Sequence, residues 1–188
     1  MHEQLIPIER GVIRGFCLFN YDEISAPVMH AFKTKGLFAV GRSLAKHLAR
    51  LQPRPTAHLL VAAPSSEAAT RQRGYVPSQV VANALGQRWL IPVLLAKQSR
   101  AVADQAGLTV TDRHRNLAGA ITIGRDLAGK KVWLVDDIVT TGSTLLELAS
   151  ACRAAGAEVL GFSALAQTPL KKETISQNGN TIAKKGLT

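Results

Sequence analysis

Two adjacent carboxylates followed by a hydroxyl-rich turn are the residues of this sequence with the clearest chemical potential. They lie in the segment Val132–Thr144, which reads VWLVDDIVTTGST. Its apolar first part predicts a buried strand that ends at Asp136 and Asp137, and Thr-Thr-Gly-Ser-Thr then opens a predicted helix. Open α/β sheets bind their ligands outside the carboxyl ends of the strands. The segment is therefore well placed to bind a ligand.

The two parts of this segment suit the two ends of a sugar phosphate. A helix N-terminus offers unpaired backbone amides and the positive end of the helix dipole, and Gly142 lets the backbone approach a phosphate closely. Further donors are the hydroxyls of Thr140, Thr141, Ser143 and Thr144. The two carboxylates are good acceptors for the hydroxyls of a diol. We therefore predict a site for a ribose 5-phosphate group.

The same residues have a second interpretation. Acid pairs at strand ends also occur in receiver domains, and threonine-rich helix starts are ordinary caps. A receiver's acid pair normally follows its first strand, whereas Asp136 and Asp137 come late in the chain and run directly into the Thr-Thr-Gly turn. This position favours the sugar phosphate.

Alternating strands and helices must position the segment. Apolar runs and helical periodicity predict strand His58–Ala63, helix Val76–Trp89, strand Ile91–Ala96, strand Lys131–Val135, helix Gly142–Ala155 and strand Ala157–Ala166. The β-α-β order at the end of this series implies a parallel sheet with a right-handed crossover. We expect a single Rossmann-like α/β domain, with a mainly parallel central sheet flanked by helices and His58–Ala63 as its first core strand.

Residues 1–56 are expected to form a strand and helix segment packed on a core that spans residues 57–169. Arg10–Tyr21 is rich in β-formers and predicts a short strand pair or an edge strand. The pattern turns helical from Ser25, and apolar residues recur at helical spacing from Leu37 to Leu51. The opposite face of that helix carries a basic stripe, which consists of Arg42, Lys46 and Arg50.

Composition limits the class of protein. The chain has 188 residues, 46% of them hydrophobic, which suffices for one buried core. It has neither a run of ~20 apolar residues nor the pattern of a secretory signal, so we expect a cytoplasmic protein with no membrane span. Cys17 and Cys152 lack a C-x-x-C spacing and the five histidines are scattered. We expect neither a disulfide framework nor a protein metal site.

The positive charge is concentrated in one stretch. Residues 24–103 contain eleven Lys or Arg residues and a single acid, Glu67, while the rest of the chain has twelve of each sign. Such an asymmetry suggests an anionic partner, either a polyphosphate, a nucleic acid or an acidic protein, although a solvated basic face is the simpler alternative. Residues 97–118 are polar and interrupted and predict a mobile loop, and residues 170–188 predict a flexible basic tail.

The motif Val132–Thr144 resembles the signature of the type I phosphoribosyltransferases, and more of the chain resembles the competence protein F (ComF) family within them. RQRGY at Arg71–Tyr75 adds to this resemblance, as do Gln105, Leu108, Arg113, Asn116 and Leu117. The similarity extends over roughly residues 57–168. Two features depart from the family. Many members begin with a four-cysteine zinc ribbon that this sequence lacks, and Val76–Gln79 stands where members usually have an asparagine.

The resemblance implies a role for each matching position. Asp136 and Asp137 would hold the ribose 2- and 3-hydroxyls of phosphoribosyl pyrophosphate, and Thr140–Thr144 would bind its 5-phosphate. The pyrophosphate would be approached by Pro64, Ser65, Arg71 and Arg73, and Mg²⁺ would arrive with this substrate. Arg113 and Arg115 lie where members have a loop that closes over the site, although surface arginines explain them equally well.

The predicted chemistry is transfer of phosphoribose to a nitrogen acceptor that the sequence does not identify. Arg73 would neutralise the leaving pyrophosphate, while Asp136 or Asp137 would favour positive charge on the sugar ring. The alternative is a non-catalytic ComF-type protein of DNA uptake, in which Arg42, Lys46 and Arg50 grip single-stranded DNA. A homodimer is a further expectation.

Overall fold

The computed structural model describes residues 1–8, 11–99 and 119–168. In chain order its helices and strands are β1 (His2–Ile8), β2 (Gly11–Asn20), α1 (Ala26–Thr34), α2 (Phe38–Leu51), β3 (Leu59–Ala62), α3 (Glu67–Arg73), α4 (Pro77–Trp89), β4 (Val93–Leu95), β5 (Lys97–Gln98), β6 (Ile121–Thr122), β7 (Lys131–Val135), β8 (Ile138–Val139), α5 (Ser143–Ala154) and β9 (Glu158–Gln167). The predicted tail and most of the predicted mobile loop lie outside the described residues.

A mainly parallel sheet of seven strands lies at the centre of the fold. Its order is β1-β2-β9-β7-β3-β4, and β8 pairs with β9 beyond the end of β7. β1 runs antiparallel to β2, whereas the pairs β2–β9, β9–β7, β7–β3, β3–β4 and β8–β9 are all parallel. β5 and β6 form a separate antiparallel ladder. The predicted fold class is confirmed.

Helices cover both faces of this sheet. On one face α5 buries Leu145 and Leu148 against alternate strand residues such as Leu134. On the other face α1, α2 and α4 pack over the intervening residues, among them Leu60 and Trp133. Because each face is covered, β3 is buried at every position and β7 at all but its first. This explains why these two strands read as continuous apolar runs.

The position of β2 corrects the prediction for Arg10–Tyr21. Gly11–Asn20 is one interior strand between β1 and β9, so it is not an edge strand. It also precedes β3 in the same sheet, so His58–Ala63 is not the first core strand. Gly15 packs against the Phe162 ring of β9 so closely that a Cβ would lie 2.2 Å from Cδ1. A local pattern cannot reveal such a neighbour, because β9 is near the other end of the chain.

Short elements account for the other differences. The loop predicted after His58–Ala63 contains α3, whose first turn is capped by the Ser66 hydroxyl, which accepts from the Ala69 amide at 3.2 Å. The division at residues 56/57 and 169/170 stays a prediction, although β1 and β2 join the same sheet as the later strands. In the described ranges no helix is long and apolar enough to cross a membrane.

Candidate functional site

The acid pair lies at the carboxyl end of β7 and is held there by backbone bonds to β9. The Asp136 amide donates to the Ser163 carbonyl at 3.0 Å. The Asp137 carbonyl accepts from the amides of Leu165 and Ala166, at 3.1 Å and 3.2 Å. The chain therefore stays in the sheet between β7 and β8, and both acid side chains start from a rigid backbone.

Both acids are buried, which makes their charges costly. Asp136 is 8% exposed and Asp137 7%. The Asp137 amide donates to Asp136 Oδ1 at 2.8 Å. Desolvation raises the pKa of Asp136 well above its usual range, and the neighbouring charge of Asp137 raises it further. Asp136 therefore holds its proton more readily than an isolated aspartic acid does.

A cation from the N-terminal part of the chain faces that charge. Lys33, in the last turn of α1, places its Nζ 3.1 Å from Asp137 Oδ2. The side chain of Asp137 is 10% exposed and that of Lys33 34%. Sequence reasoning missed Lys33 as a site residue, because no local motif marks a contact between residues so far apart in the chain.

The hydroxyl-rich turn is built around a left-handed glycine. Gly142 is the N-cap of α5 with φ +79°, and it has no side chain that could cap the helix. The first-turn amides therefore need water or a ligand as partner unless a neighbouring residue supplies one. Thr141 provides part of this, since its Oγ1 lies 2.7 Å from Ser143 Oγ and accepts from the Ser143 amide at 3.3 Å. Thr140 is exposed and Thr144 is half-buried.

The loop predicted to approach a pyrophosphate leaves the sheet beside the acid pair. β3 and β7 are parallel neighbours with Ala62 opposite Val135, so Pro64 and Ser65 follow β3 at the same sheet edge as Asp136. Both are half-buried. The predicted loop residues therefore share an edge with the predicted sugar site.

Arg71 and Arg73, at the end of α3, differ in environment. Arg71 is exposed and lies 3.8 Å from Glu67, one turn earlier in the helix. Arg73 is half-buried, and its buried Nε has no hydrogen-bond partner among the described residues. An unpaired buried donor is costly, so Arg73 is the better candidate for an anion contact.

Tyr75 joins this loop to the N-terminal helices. Its hydroxyl donates to the Phe32 carbonyl in α1, and its ring packs edge-on against Phe38 with centroids 4.5 Å apart. Burial raises the pKa of Tyr75, and the charges of Arg73, Asp137 and Lys33 act on it as well. The structure thus gathers α1, the end of α3 and the acid pair into one cluster.

The basic stripe and the predicted loop arginines have separate outcomes. Arg42, Lys46 and Arg50 are all exposed on α2, as the basic stripe predicted. Arg113 and Arg115 lie outside the described residues. Within the described ranges no group of three or more His, Cys, Asp or Glu side chains could hold a metal ion.

Comparison with known proteins gives a family. The model of the phosphoribosyl transferase domain matches residues 69–182. Competence protein F of Haemophilus influenzae is 30% identical over 161 residues, which cover 79% of this chain and 70% of that protein. The DNA utilization protein YhgH of Escherichia coli K12 is 29% identical, with the same coverage of 79% and 70%.

Among solved structures, UMP synthase of Leishmania donovani aligns with 20% identity and a TM-score of 0.47. The alignment covers 74% of this chain but only 24% of that chain. The domain match and the extended similarity to competence protein F cover most of the sequence, including the acid pair and the turn that follows it. The chain therefore belongs to the phosphoribosyltransferase family, as a member of its competence protein F (ComF) group.

Proposed function

We propose that this protein binds phosphoribosyl pyrophosphate and transfers its phosphoribosyl group to a nitrogen acceptor. The observation that carries the proposal is the buried acid pair at the end of β7, followed within a few residues by the left-handed Gly142 at the start of α5. In this proposal Asp136 and Asp137 accept from the ribose hydroxyls. The amides and hydroxyls of Thr140–Thr144 receive the 5-phosphate.

The transfer would proceed by charge separation at the anomeric carbon. The bond from this carbon to the pyrophosphate oxygen breaks, and its electron pair leaves with the pyrophosphate. The lone pair of the acceptor nitrogen then forms the new bond, and the nitrogen releases its proton to solvent. The Asp137 carboxylate favours the developing positive charge on the sugar, while Arg73, with its unpaired Nε, neutralises the leaving group.

The described side chains near the acid pair bear on how Mg²⁺ would be held in this proposal. These residues do not gather three ligating side chains, and Asp137 already faces the Lys33 ammonium at 3.1 Å. Mg²⁺ commonly binds through substrate phosphates and keeps several waters. We therefore propose that the ion enters with the donor, on the donor's own oxygen atoms.

The test is calorimetric titration with phosphoribosyl pyrophosphate and Mg²⁺, followed by an assay for pyrophosphate release with a panel of nitrogen bases. D136N/D137N should lose about a hundredfold in donor affinity, since a charge-assisted hydrogen bond to Asp137 and a neutral one to Asp136 are both disrupted. E158Q is the matched control, because Glu158 pairs with Lys131 at the opposite edge of the sheet. Donor binding that survives in D136N/D137N would rule the site out, and binding without turnover on any base would restrict the protein to ligand binding.

A second function, binding of single-stranded DNA, is favoured by the exposed basic stripe on α2. Arg42, Lys46 and Arg50 follow one another at four-residue steps, so they share a helix face, and all three are exposed. The names of two relatives, a competence protein and a DNA utilization protein, agree with such a role. Each phosphate that these cations neutralise would release counterions and make binding dependent on salt.

The salt dependence of oligonucleotide binding tests this second function. R42E/K46E/R50E should weaken binding and reduce the slope of log K against log salt by roughly 2, at about 0.7 per phosphate lost. The control R125E/K130E/R153E changes three exposed cations outside residues 24–103. Equal losses in both variants would show a general charge effect and contradict a specific role for α2.

A further inference from the structure

We propose that Lys33 is a positioning residue of the sugar site, which holds the Asp137 carboxylate as the charged acceptor for a ribose hydroxyl. The proposal rests on the proposed binding of a ribose phosphate and extends it to α1, outside the residues matched to the phosphoribosyl transferase domain. Its geometric basis is the 3.1 Å contact between Lys33 Nζ and Asp137 Oδ2.

The packing of α1 determines where Lys33 lies. Met29 and Phe32 are completely buried and anchor the helix. The Phe32 ring packs against Gly41 of α2, where a Cβ would lie 2.2 Å from the ring, so α1 and α2 are in close contact at this point. The Phe32 carbonyl also accepts from the Tyr75 hydroxyl. The backbone at Lys33 is thus held from two sides, which keeps the side chain within reach of Asp137.

The other titratable groups around the acid pair do not replace Lys33. Burial raises the pKa of Cys17, on β2, to about 12 and that of Tyr75 above its usual range, so both side chains are neutral near pH 7. Arg73 is a cation of the same cluster and acts on Tyr75. Among the residues that the structure describes, Lys33 is the cation that lies within ion-pair distance of Asp137.

The consequence for the ligand follows from charge-assisted hydrogen bonding. A hydroxyl that donates to a carboxylate makes a stronger bond than one that donates to a neutral group. Without a nearby cation, a buried acid pair binds a second proton more readily, because desolvation disfavours the charged form. Removal of Lys33 would therefore take away the opposite charge that favours a carboxylate at this position, and it would weaken the hydrogen bond to the sugar hydroxyl.

The experiment compares wild type, K33M, K33R and K35M with two probes, ribose 5-phosphate and inorganic phosphate. Lys35 is an exposed cation next to the end of α1, so K35M controls for general electrostatic attraction. Affinities are measured between about pH 7 and pH 9, where the probes stay doubly charged because a phosphate ester has its second pKa at ~6. The ¹³C signals of the Asp136 and Asp137 carboxyl groups are titrated in the ligand-free proteins.

K33M should bind ribose 5-phosphate about tenfold more weakly near pH 7, and the deficit should decrease as pH rises, because higher pH favours the charged form of the acid pair. Phosphate affinity should fall much less. K33R should restore ribose 5-phosphate binding, and K35M should leave it unchanged. In K33M alone, the carboxyl signals should titrate at higher pH than in wild type.

Three results would overturn the role of Lys33. The first is an affinity of K33M for ribose 5-phosphate equal to that of wild type. The second is an equal loss of affinity for both probes that K35M reproduces. The third is a carboxyl titration that is the same in K33M and wild type. If wild type itself binds no ribose phosphate, the proposed function fails instead. The carboxyl titration then decides by itself whether Lys33 holds the charge of Asp137.

Discussion

Substitution of Gly142 by alanine tests the geometry of the turn at the start of α5. Gly142 has φ +79°, a conformation that costs a residue with a Cβ ~1–2 kcal/mol. The new methyl group would also lie 3.1 Å from Ile6 Cγ2 and 3.3 Å from Cδ1. Ile6 must then move by a few tenths of an ångström, at a cost near the lower end of overpacking penalties, ~1 kcal/mol. G142A should therefore lower the free energy of unfolding by about 2–3 kcal/mol.

Gly129 offers a matched control for the backbone part of this cost. It has φ +68°, and nothing lies within 4 Å of a Cβ built on it. G129A should therefore cost only ~1–2 kcal/mol. Urea unfolding of G142A, G129A, I6A and G142A/I6A gives the contact with Ile6 as a coupling energy of about 1 kcal/mol. Equal costs for G142A and G129A, or no coupling between Gly142 and Ile6, would refute the close approach of β1 to the turn.

Three further substitutions should change stability in defined ways. D136N should stabilise the protein relative to wild type, and the difference should grow as pH rises. Folded Asp136 keeps its proton above the ordinary pKa of 3.8, whereas the unfolded chain releases it. The free energy of unfolding of wild type therefore falls by up to ~1.4 kcal/mol per pH unit until folded Asp136 ionises. Urea unfolding at several pH values checks this, and a difference that does not vary with pH would contradict it. S163A should lower the free energy of unfolding by about 2–4 kcal/mol. The Ser163 hydroxyl lies 2.7 Å from the buried Trp133 Nε1 and 2.8 Å from Gln52 Oε1, and its removal leaves both atoms without this partner. A loss under ~1 kcal/mol in chemical unfolding would contradict this. L90G should raise the free energy of unfolding by ~0.5–1 kcal/mol, because Leu90 has φ 56° at the C-cap of α4 and is 86% exposed. A lower midpoint of thermal unfolding in L90G would contradict this.

The elements around the acid pair were predictable because their signals are local. The predicted strand Lys131–Val135 matches β7, and the predicted helix Gly142–Ala155 differs from α5 only by its two cap residues. A short apolar run, two acids and a glycine-centred turn each follow from neighbouring residues. The predicted parallel sheet also follows, since β-α-β order leaves few other arrangements.

What remained hidden depends on contacts between distant residues or on elements too short for periodicity. The Lys33–Asp137 ion pair and the Tyr75–Phe32 hydrogen bond join α1 to residues far along the chain. α3 has seven residues and buries none of them, so it shows no apolar stripe. β8 has two residues, and its pairing with β9 keeps Asp137 in the sheet. The predicted site therefore did not include Lys33, the cation that α1 supplies.

The parallel pairing of β2 with β9 has a consequence for how the protein is made. Gly15 pairs with Phe162 and Asn20 with Gln167, so β2 must wait for β9, the last of the described strands, to leave the ribosome. Until then one edge of β2 has no neighbour, and an unpaired strand edge invites association with other chains. Contacts of such long sequence separation also slow folding. We expect completion of the sheet to occur after synthesis, with the nascent N-terminal strands the part most in need of chaperone protection.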